Sequence, residues 1–328
     1  MFLGIEIGGT KLQLGVGAGE SGHLHRLLRL PVDRARGAEG ILQDVRQAAG
    51  QLIETYRPRR IGIGFGGPVD GVNGRVVTSH HVAGWDGFLL SRWCEENLGL
   101  PAVLGNDADL AALAEAHLGA ARGASPMVYV TVGTGIGSGL VVEGKLYQGA
   151  GLATMELGHL RLGPGSRPGD ILEHAASGLG IAAAARRLLE KNAAASADGQ
   201  DLLARAGTLE RLSAAHVTAA AADGNAIART VIAGACDALG WALAQVVTLL
   251  SPAIIVVGGG VSLAGERLFF SPLREAVARY VFPPLAGSYQ LVPAALGEDV
   301  VVHGAILLAR EADASSQAKA RHPADEVR

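Results

Sequence analysis

Three glycine-rich turns, each entered from a short aliphatic run, are spaced widely along this chain. Phe2-Leu3-Gly4-Ile5-Glu6-Ile7 leads into Gly8-Gly9-Thr10-Lys11, and Met127-Val128-Tyr129-Val130-Thr131-Val132 leads into Gly133-Thr134-Gly135-Ile136-Gly137. Ala253-Ile254-Ile255-Val256-Val257 leads into Gly258-Gly259-Gly260. Glycine admits positive φ and lets backbone N–H groups approach an anion with no Cβ in the way. Three such turns at strand ends imply a polyanionic ligand gripped at several points, a nucleotide above all.

Neither of the first two turns opens into a helix, as a P-loop or dinucleotide fingerprint requires. The chain instead returns as Lys11-Leu12-Gln13-Leu14-Gly15-Val16, alternating polar and apolar, and as Leu140-Val141-Val142-Glu143. Both segments therefore read as β-hairpins with glycine and threonine at their tips. Ile5 to Thr10 and Val130 to Gly135 read as two copies of one short unit, and their matching context favours a duplicated βββαβα domain over chance similarity.

Length and composition permit that architecture. The 328 residues suffice for two domains with separate cores. The net charge of −3 is spread along the chain and offers no basic surface for nucleic acid. Cys94 and Cys236 lie far apart in no metal-ligand spacing, which fits a reducing cytoplasmic setting. The sequence opens directly on a strand with no secretory pattern, and no uninterrupted apolar run reaches spanning length, so no membrane partner is expected.

Periodicity predicts strands near 2–7, 11–17, 26–31, 61–65 and 101–104, with helices near 38–56 and 107–118. The second half is helix-rich from Ser177 to Leu250. One amphipathic helix is expected over Ala182–Asn192, a loop over Asn192–Gly199 and a long helix over Ala226–Leu250. An N-terminal domain over 1–118 and a larger domain over 119–299 are expected, with a helix near 300–311 rejoining the first. Residues 312–328, polar and aperiodic, are expected to form a flexible tail.

Two polar clusters carry the chemistry. Asn106-Asp107-Ala108 follows the strand Ala102-Val103-Leu104 and starts a helix, at the strand end where α/β proteins place ligands. Asp107 is either a first-turn acid that serves the helix alone or a base free to take a proton from a sugar hydroxyl. Glu156-Leu157-Gly158-His159, followed by Glu173, is either a solvated turn or a set of polar groups able to direct hydrogen bonds to a polyol. In a helical turn Glu156 and His159 would share a face.

With these segments in view the chain resembles the ROK family (repressors, open reading frames and sugar kinases) of the actin-like, hexokinase-type ATPase superfamily. The resemblance runs from about residue 3 to about residue 310. In family order it rests on Ile7-Gly8-Gly9-Thr10-Lys11, Gly64-Phe65-Gly66-Gly67-Pro68-Val69-Asp70 and Asn106-Asp107-Ala108. It continues through Gly133-Thr134-Gly135-Ile136-Gly137, Glu156-Leu157-Gly158-His159, Leu172-Glu173 with Ser177-Gly178, and Gly258-Gly259-Gly260-Val261.

The resemblance implies a two-domain α/β fold of the actin-like, ribonuclease H-like kind, duplicated βββαβα units with an interdomain cleft that closes on the sugar. It implies ATP and Mg²⁺ as cofactors. Gly8, Gly9, Thr10, Gly133, Thr134, Gly135 and Gly137 would hold the ATP phosphates, and Gly258, Gly259 and Gly260 would back the adenosine. Lys11 would add positive charge, although a solvated strand lysine reads equally well. Gly67, Asn106, Asp107, Glu156, His159 and Glu173 would bind the sugar, with Asp107 as general base. A homodimer is also implied.

Three positions depart from the family pattern. Glu6 stands where most members have Asp; its carboxylate can still hold Mg²⁺ through water, with one methylene more of reach. Gly66 replaces a usual proline in a loop near the sugar. The family's structural zinc site pairs a histidine with a cysteine-rich loop, but Leu162 to Asp170 contains no cysteine, and His159 alone cannot build a tetrahedral site. No zinc is expected.

Two function classes follow from the resemblance. The first is a hexose kinase of glucokinase type, with fructose, mannose, allose and N-acetylhexosamines as alternative substrates. The second is a sugar-responsive regulator or a non-catalytic sensor. The family's repressors carry a DNA-binding domain ahead of the first strand, whereas this sequence begins on that strand, and Asp107 and both hairpins are intact. These features favour the kinase.

Overall fold

A computed structural model describes residues 1–79, 82–150, 153–163, 167 and 169–321. The chain forms two compact units. The first comprises Met1–Arg122, Gly144–Thr154 and Leu296–Arg328, and the second comprises Gly123–Glu143 and Met155–Ala295. The expected boundaries after 118 and 299 thus differ by a few residues, and the first unit also takes back the segment from Gly144 to Thr154.

In the first unit the sheet runs Leu24–Pro31, Lys11–Gly17, Phe2–Ile7, Ile61–Phe65, Ala102–Asn106. Phe2–Ile7 and Lys11–Gly17 are antiparallel, as the hairpin reading requires, whereas Phe2–Ile7, Ile61–Phe65 and Ala102–Asn106 are mutually parallel. The helix Gly37–Tyr56 covers one face, packing Ile41 and Val45 into the cluster that holds Leu12, Leu14 and Val16. The helix Val300–Arg321 lies on the other face. A Cβ on Gly4 would come within 2.6 Å of the Val302 carbonyl oxygen, so glycine there sets how closely this helix approaches the strand.

The strand Lys11–Gly17, read from its polar–apolar alternation as the return strand of a hairpin, is buried almost throughout, because helices cover both faces, and Gln13 is fully inaccessible. The C-terminal helix continues through 312–321, where a flexible tail was expected. Arg59 pairs with Asp313 at 3.0 Å, Arg60 donates to Ser316, and Ser315 and Ser316 bond back along the helix, so a polar sequence stays helical. Residues 322–328 of the expected tail lie outside the described residues.

The second unit repeats the plan of the first. Met127–Val132 and Ile136–Val142 form an antiparallel hairpin, Met127–Val132 pairs in parallel with Ile254–Gly258, and that strand pairs in parallel with Gln290–Pro293. Ala226–Leu250 forms the expected long helix. It is long and apolar enough to cross a membrane by length and composition, yet Val231, Ile232, Leu239, Leu243 and Val247 are buried in this unit's core. The amphipathic helix spans Gly178–Leu188, started by the Ser177 cap, and a π-turn over Leu189–Ala193 follows. The expected loop over 192–199 ends early, because the Ser196 side chain accepts the Gly199 N–H and starts a helix at Ala197.

Candidate active site

The first unit brings together the strand-end acid, the glycine hairpin and the loop before Pro68. Asp107 opens the helix Asp107–His117 directly after the strand Ala102–Asn106. Asn106 is the cap: its Oδ1 accepts the N–H groups of Ala108 at 2.9 Å and Asp109 at 3.3 Å. Its amide donates to the Gly67 carbonyl at 3.0 Å, which ties the helix start to the Gly66-Gly67 loop. That loop is anchored in turn on the first strand, since Gly66 N–H donates to the Ile7 carbonyl at 3.0 Å. A Cβ at Gly66 would lie 3.3 Å from Asp107 Oδ2, tight enough to press on the carboxylate. Ile7, Gly8, Phe65, Gly66, Ser79 and Trp85 line a small cleft beside it.

Two carboxylates share this region. Burial, then the negative charge of Glu6, pushes the Asp107 carboxyl from 3.8 up to about 6, against the pull of its N–H donors and of Lys11. Glu6 is itself buried and its carboxyl is raised by desolvation, with Lys11 and Gln13 opposing the rise. Lys11 Nζ stands 3.3 Å from Glu6 Oε1 and donates to the Glu298 carbonyl at 3.2 Å, so Lys11 is held by two partners while its side chain stays partly exposed. The tip of the hairpin is closed by Gly8 N–H donating to the Lys11 carbonyl at 3.0 Å. Arg34, which sequence reasoning missed, donates to the Gly9 carbonyl at 2.6 Å.

In the second unit the hairpin tip is closed in the same way, by Gly133 N–H donating to the Gly135 carbonyl at 2.9 Å. Gly178 N–H and Leu179 N–H donate to the carbonyls of Gly133 and Thr134, which docks the start of the Gly178–Leu188 helix against the turn. The third glycine turn joins them: Val261 N–H donates to the Val132 carbonyl at 2.9 Å. Gly259 has φ +88°, and a Cβ there would strike the Val132 backbone at 2.6 Å, so this glycine is demanded by packing. Gly260 has open space where its Cβ would be.

Glu156 precedes a short 3₁₀ turn over Leu157–His159, and its carbonyl accepts the His159 N–H at 3.0 Å. Both side chains are exposed. Ser138 fastens this turn by donating to the Met155 carbonyl and accepting the Leu157 N–H at 3.3 Å. Glu173, on the short helix Leu172–Ala176, is half-buried against Gly135 and accepts the Ile136 N–H at 2.8 Å. Glu156, His159, Glu173 and the hairpin from Gly133 to Gly137 thus gather at one end of the strand Ile136–Val142. Pro164, Gly165, Ser166 and Pro168 of the cysteine-free loop lie outside the described residues.

The match to the ROK family model extends over residues 2–312. The chain belongs to the ROK family. It is 32% identical to a glucokinase of Thermotoga maritima over 94% of this chain and 97% of that one. A ROK hexokinase from Thermus thermophilus superposes with a TM-score of 0.79 at 30% identity, covering 96% of this chain and 99% of that one. A ROK glucokinase from Streptomyces griseus, solved with glucose and AMPPNP, gives 0.80 at 29% identity over 94% of this chain and 99% of that one. The architecture is therefore that of the actin-like ATPase sugar kinases, as the glycine hairpins and their order led us to expect.

Proposed function

We propose that this ROK protein is an ATP-dependent hexose kinase of glucokinase type. The observation that carries the reading is Asp107: a carboxylate at a strand end, next to a glycine hairpin, with its proton affinity raised toward neutrality. The Thermotoga maritima relative and the glucose-bound Streptomyces griseus structure support glucose as the first substrate to try.

In this reading Asp107 accepts the proton of the sugar hydroxyl as its oxygen attacks the γ-phosphorus, and ADP departs with the electrons of the broken P–O bond. Asn106 has one amide hydrogen left for the sugar after capping the helix and binding Gly67. Glu156, His159 and Glu173 direct the remaining hydroxyls. The tips at Gly8–Thr10 and Gly133–Gly137 receive phosphate oxygens on backbone N–H groups. Glu6 would hold Mg²⁺ through water, since that ion takes one or two carboxylates plus phosphate oxygens and keeps several waters. When bound, it neutralises charge on the phosphates.

The family resemblance also carries a homodimeric assembly and a cytoplasmic setting into this reading. A panel of hexoses with ATP and Mg²⁺, followed by coupled ADP release, tests it. Asp107→Asn should lower kcat by about 10²–10⁴-fold while sugar binding stays within a few-fold. Parent-like turnover by that variant would remove Asp107 as the base. Sugar binding without turnover by the parent protein would instead favour the non-catalytic sensor. Because the reading draws on groups from each unit, scattering with and without sugar reads whether the ligand rearranges them.

A further inference from the structure

Glu6, Gln13 and Arg29 occupy one register level across three neighbouring strands. Glu6 is opposite Gln13 in the first pair of strands and Gln13 is opposite Arg29 in the second. Their side chains form a continuous run. Arg29 Nε donates to Gln13 Oε1 at 2.9 Å, and Gln13 Nε2 donates to Glu6 Oε2 at 2.6 Å. Gln13 is fully buried and Glu6 is 5% exposed, so water does not compete for the inner bond.

The run has only one direction. A guanidinium donates and never accepts, so Gln13 must turn its oxygen to Arg29 and its amide hydrogens to Glu6, and the amide cannot flip. The run is anchored at Arg29 and at Gln13 on the turn that precedes the C-terminal helix. Arg29 Nη2 meets Asp299 Oδ1 at 2.6 Å, and Gln13 Nε2 also donates to the Glu298 carbonyl at 2.9 Å. Lys11 donates to that same carbonyl and pairs with the other oxygen of Glu6. A glutamate has more rotamer freedom than the aspartate usual at this position, and this run removes it from one oxygen.

We propose that Gln13 and Arg29 are positioning residues for the phosphoryl transfer: the run from Arg29 through Gln13 fixes Glu6 Oε2, and with it the place at which the Glu6 carboxylate, its Oε1 paired with Lys11, would hold the metal that accompanies the nucleotide. The proposal rests on the kinase reading above. A partner that orients a carboxylate metal ligand typically contributes about 10- to 100-fold in metal affinity or activity. Gln13→Met keeps the length of the side chain and removes all three of its hydrogen bonds, those to Glu6 and the Glu298 carbonyl and the one from Arg29. Arg29→Met removes only the outer step, the bond to Gln13 Oε1 and the pair with Asp299, from an exposed position, and the thermal midpoint reads what that costs the fold.

Binding of AMPPNP to the full chain is measured by calorimetry with and without Mg²⁺, beside kcat and the thermal midpoint. Gln13→Met should lose about tenfold of the Mg²⁺-dependent gain in affinity, and Arg29→Met a smaller part of it. Affinity for metal-free AMPPNP should stay within twofold for both. Equal losses with and without Mg²⁺, or Mg²⁺-dependent binding equal to the parent in both variants, would overturn the positioning role while leaving the kinase reading intact. A parent protein whose nucleotide affinity ignores Mg²⁺ would overturn the positioning role, and one that releases no ADP with any hexose would overturn the kinase reading.

Discussion

Glu173 accepts the backbone N–H of Ile136 through Oε2 at 2.8 Å, one residue past the glycine tip of the second hairpin. The side chain read as a sugar ligand therefore also holds the turn read as a phosphate ligand. The contact is close enough that a Cβ on Gly135 would overlap the Glu173 carboxylate.

Gly135→Ala should thus disturb two ligands at once. The added methyl pushes Glu173 away, and the KM values for sugar and for ATP should both rise, by about 10- to 100-fold for a displacement near 1 Å. Steady-state kinetics with each substrate varied in turn checks this. A rise confined to ATP would show that Glu173 is not part of the sugar site.

Asp107 should make the folded protein less stable as it ionises. Its carboxyl titrates near 3.8 when unfolded and at about 6 when folded, because burial and then the Glu6 charge oppose ionisation. The folded state binds the proton more tightly, so this contribution favours folding at about pH 4 and is lost as pH rises through about 6. In metal-free protein, Asp107→Asn should raise the thermal midpoint relative to the parent near neutral pH, and that gain should disappear toward pH 4. A gain independent of pH would assign it to something other than the carboxylate charge.

Glycine and acid positions were legible because each obeys a local rule. The hairpins were readable because the residues after each tip return as strands, and Asp107 because a strand ends and a helix begins around it. Gln13 was not readable as a working residue. Its role depends on Arg29 and on the turn at Glu298, which the sequence places far away. The bond from Glu173 to Ile136 likewise joins separate segments. The helix Ala197–Ala206 was missed at its start because Ser196 and Gly199 read as loop residues until the cap between them is seen.

Zinc should be absent from protein purified without added metal, and chelators should leave the thermal midpoint unchanged. The sequence from Leu162 to Asp170 supplies no thiolate, and a tetrahedral structural site needs four ligands. His174, a candidate substitute ligand, directs Nδ1 at the Gly169 carbonyl at 2.8 Å. Elemental analysis decides the matter. One zinc per chain would mean that histidine and carboxylate side chains had rebuilt the site.

Asn106 separates helix stability from catalysis, because its two ends do different work. Oδ1 caps the helix through Ala108 and Asp109, while the amide nitrogen holds the Gly67 carbonyl and has one hydrogen to spare. Asn106→Ala should cost about 1–2 kcal/mol of stability, the usual value of a lost cap, and should also lower kcat. Asn106→Asp restores a good cap but cannot donate to Gly67, and it sets a further negative charge beside Asp107. Stability should return in that variant while kcat stays low. Denaturant unfolding and turnover measured on both variants give the comparison. Recovery of the two together would mean that Asn106 serves the reaction only by starting the helix that carries Asp107.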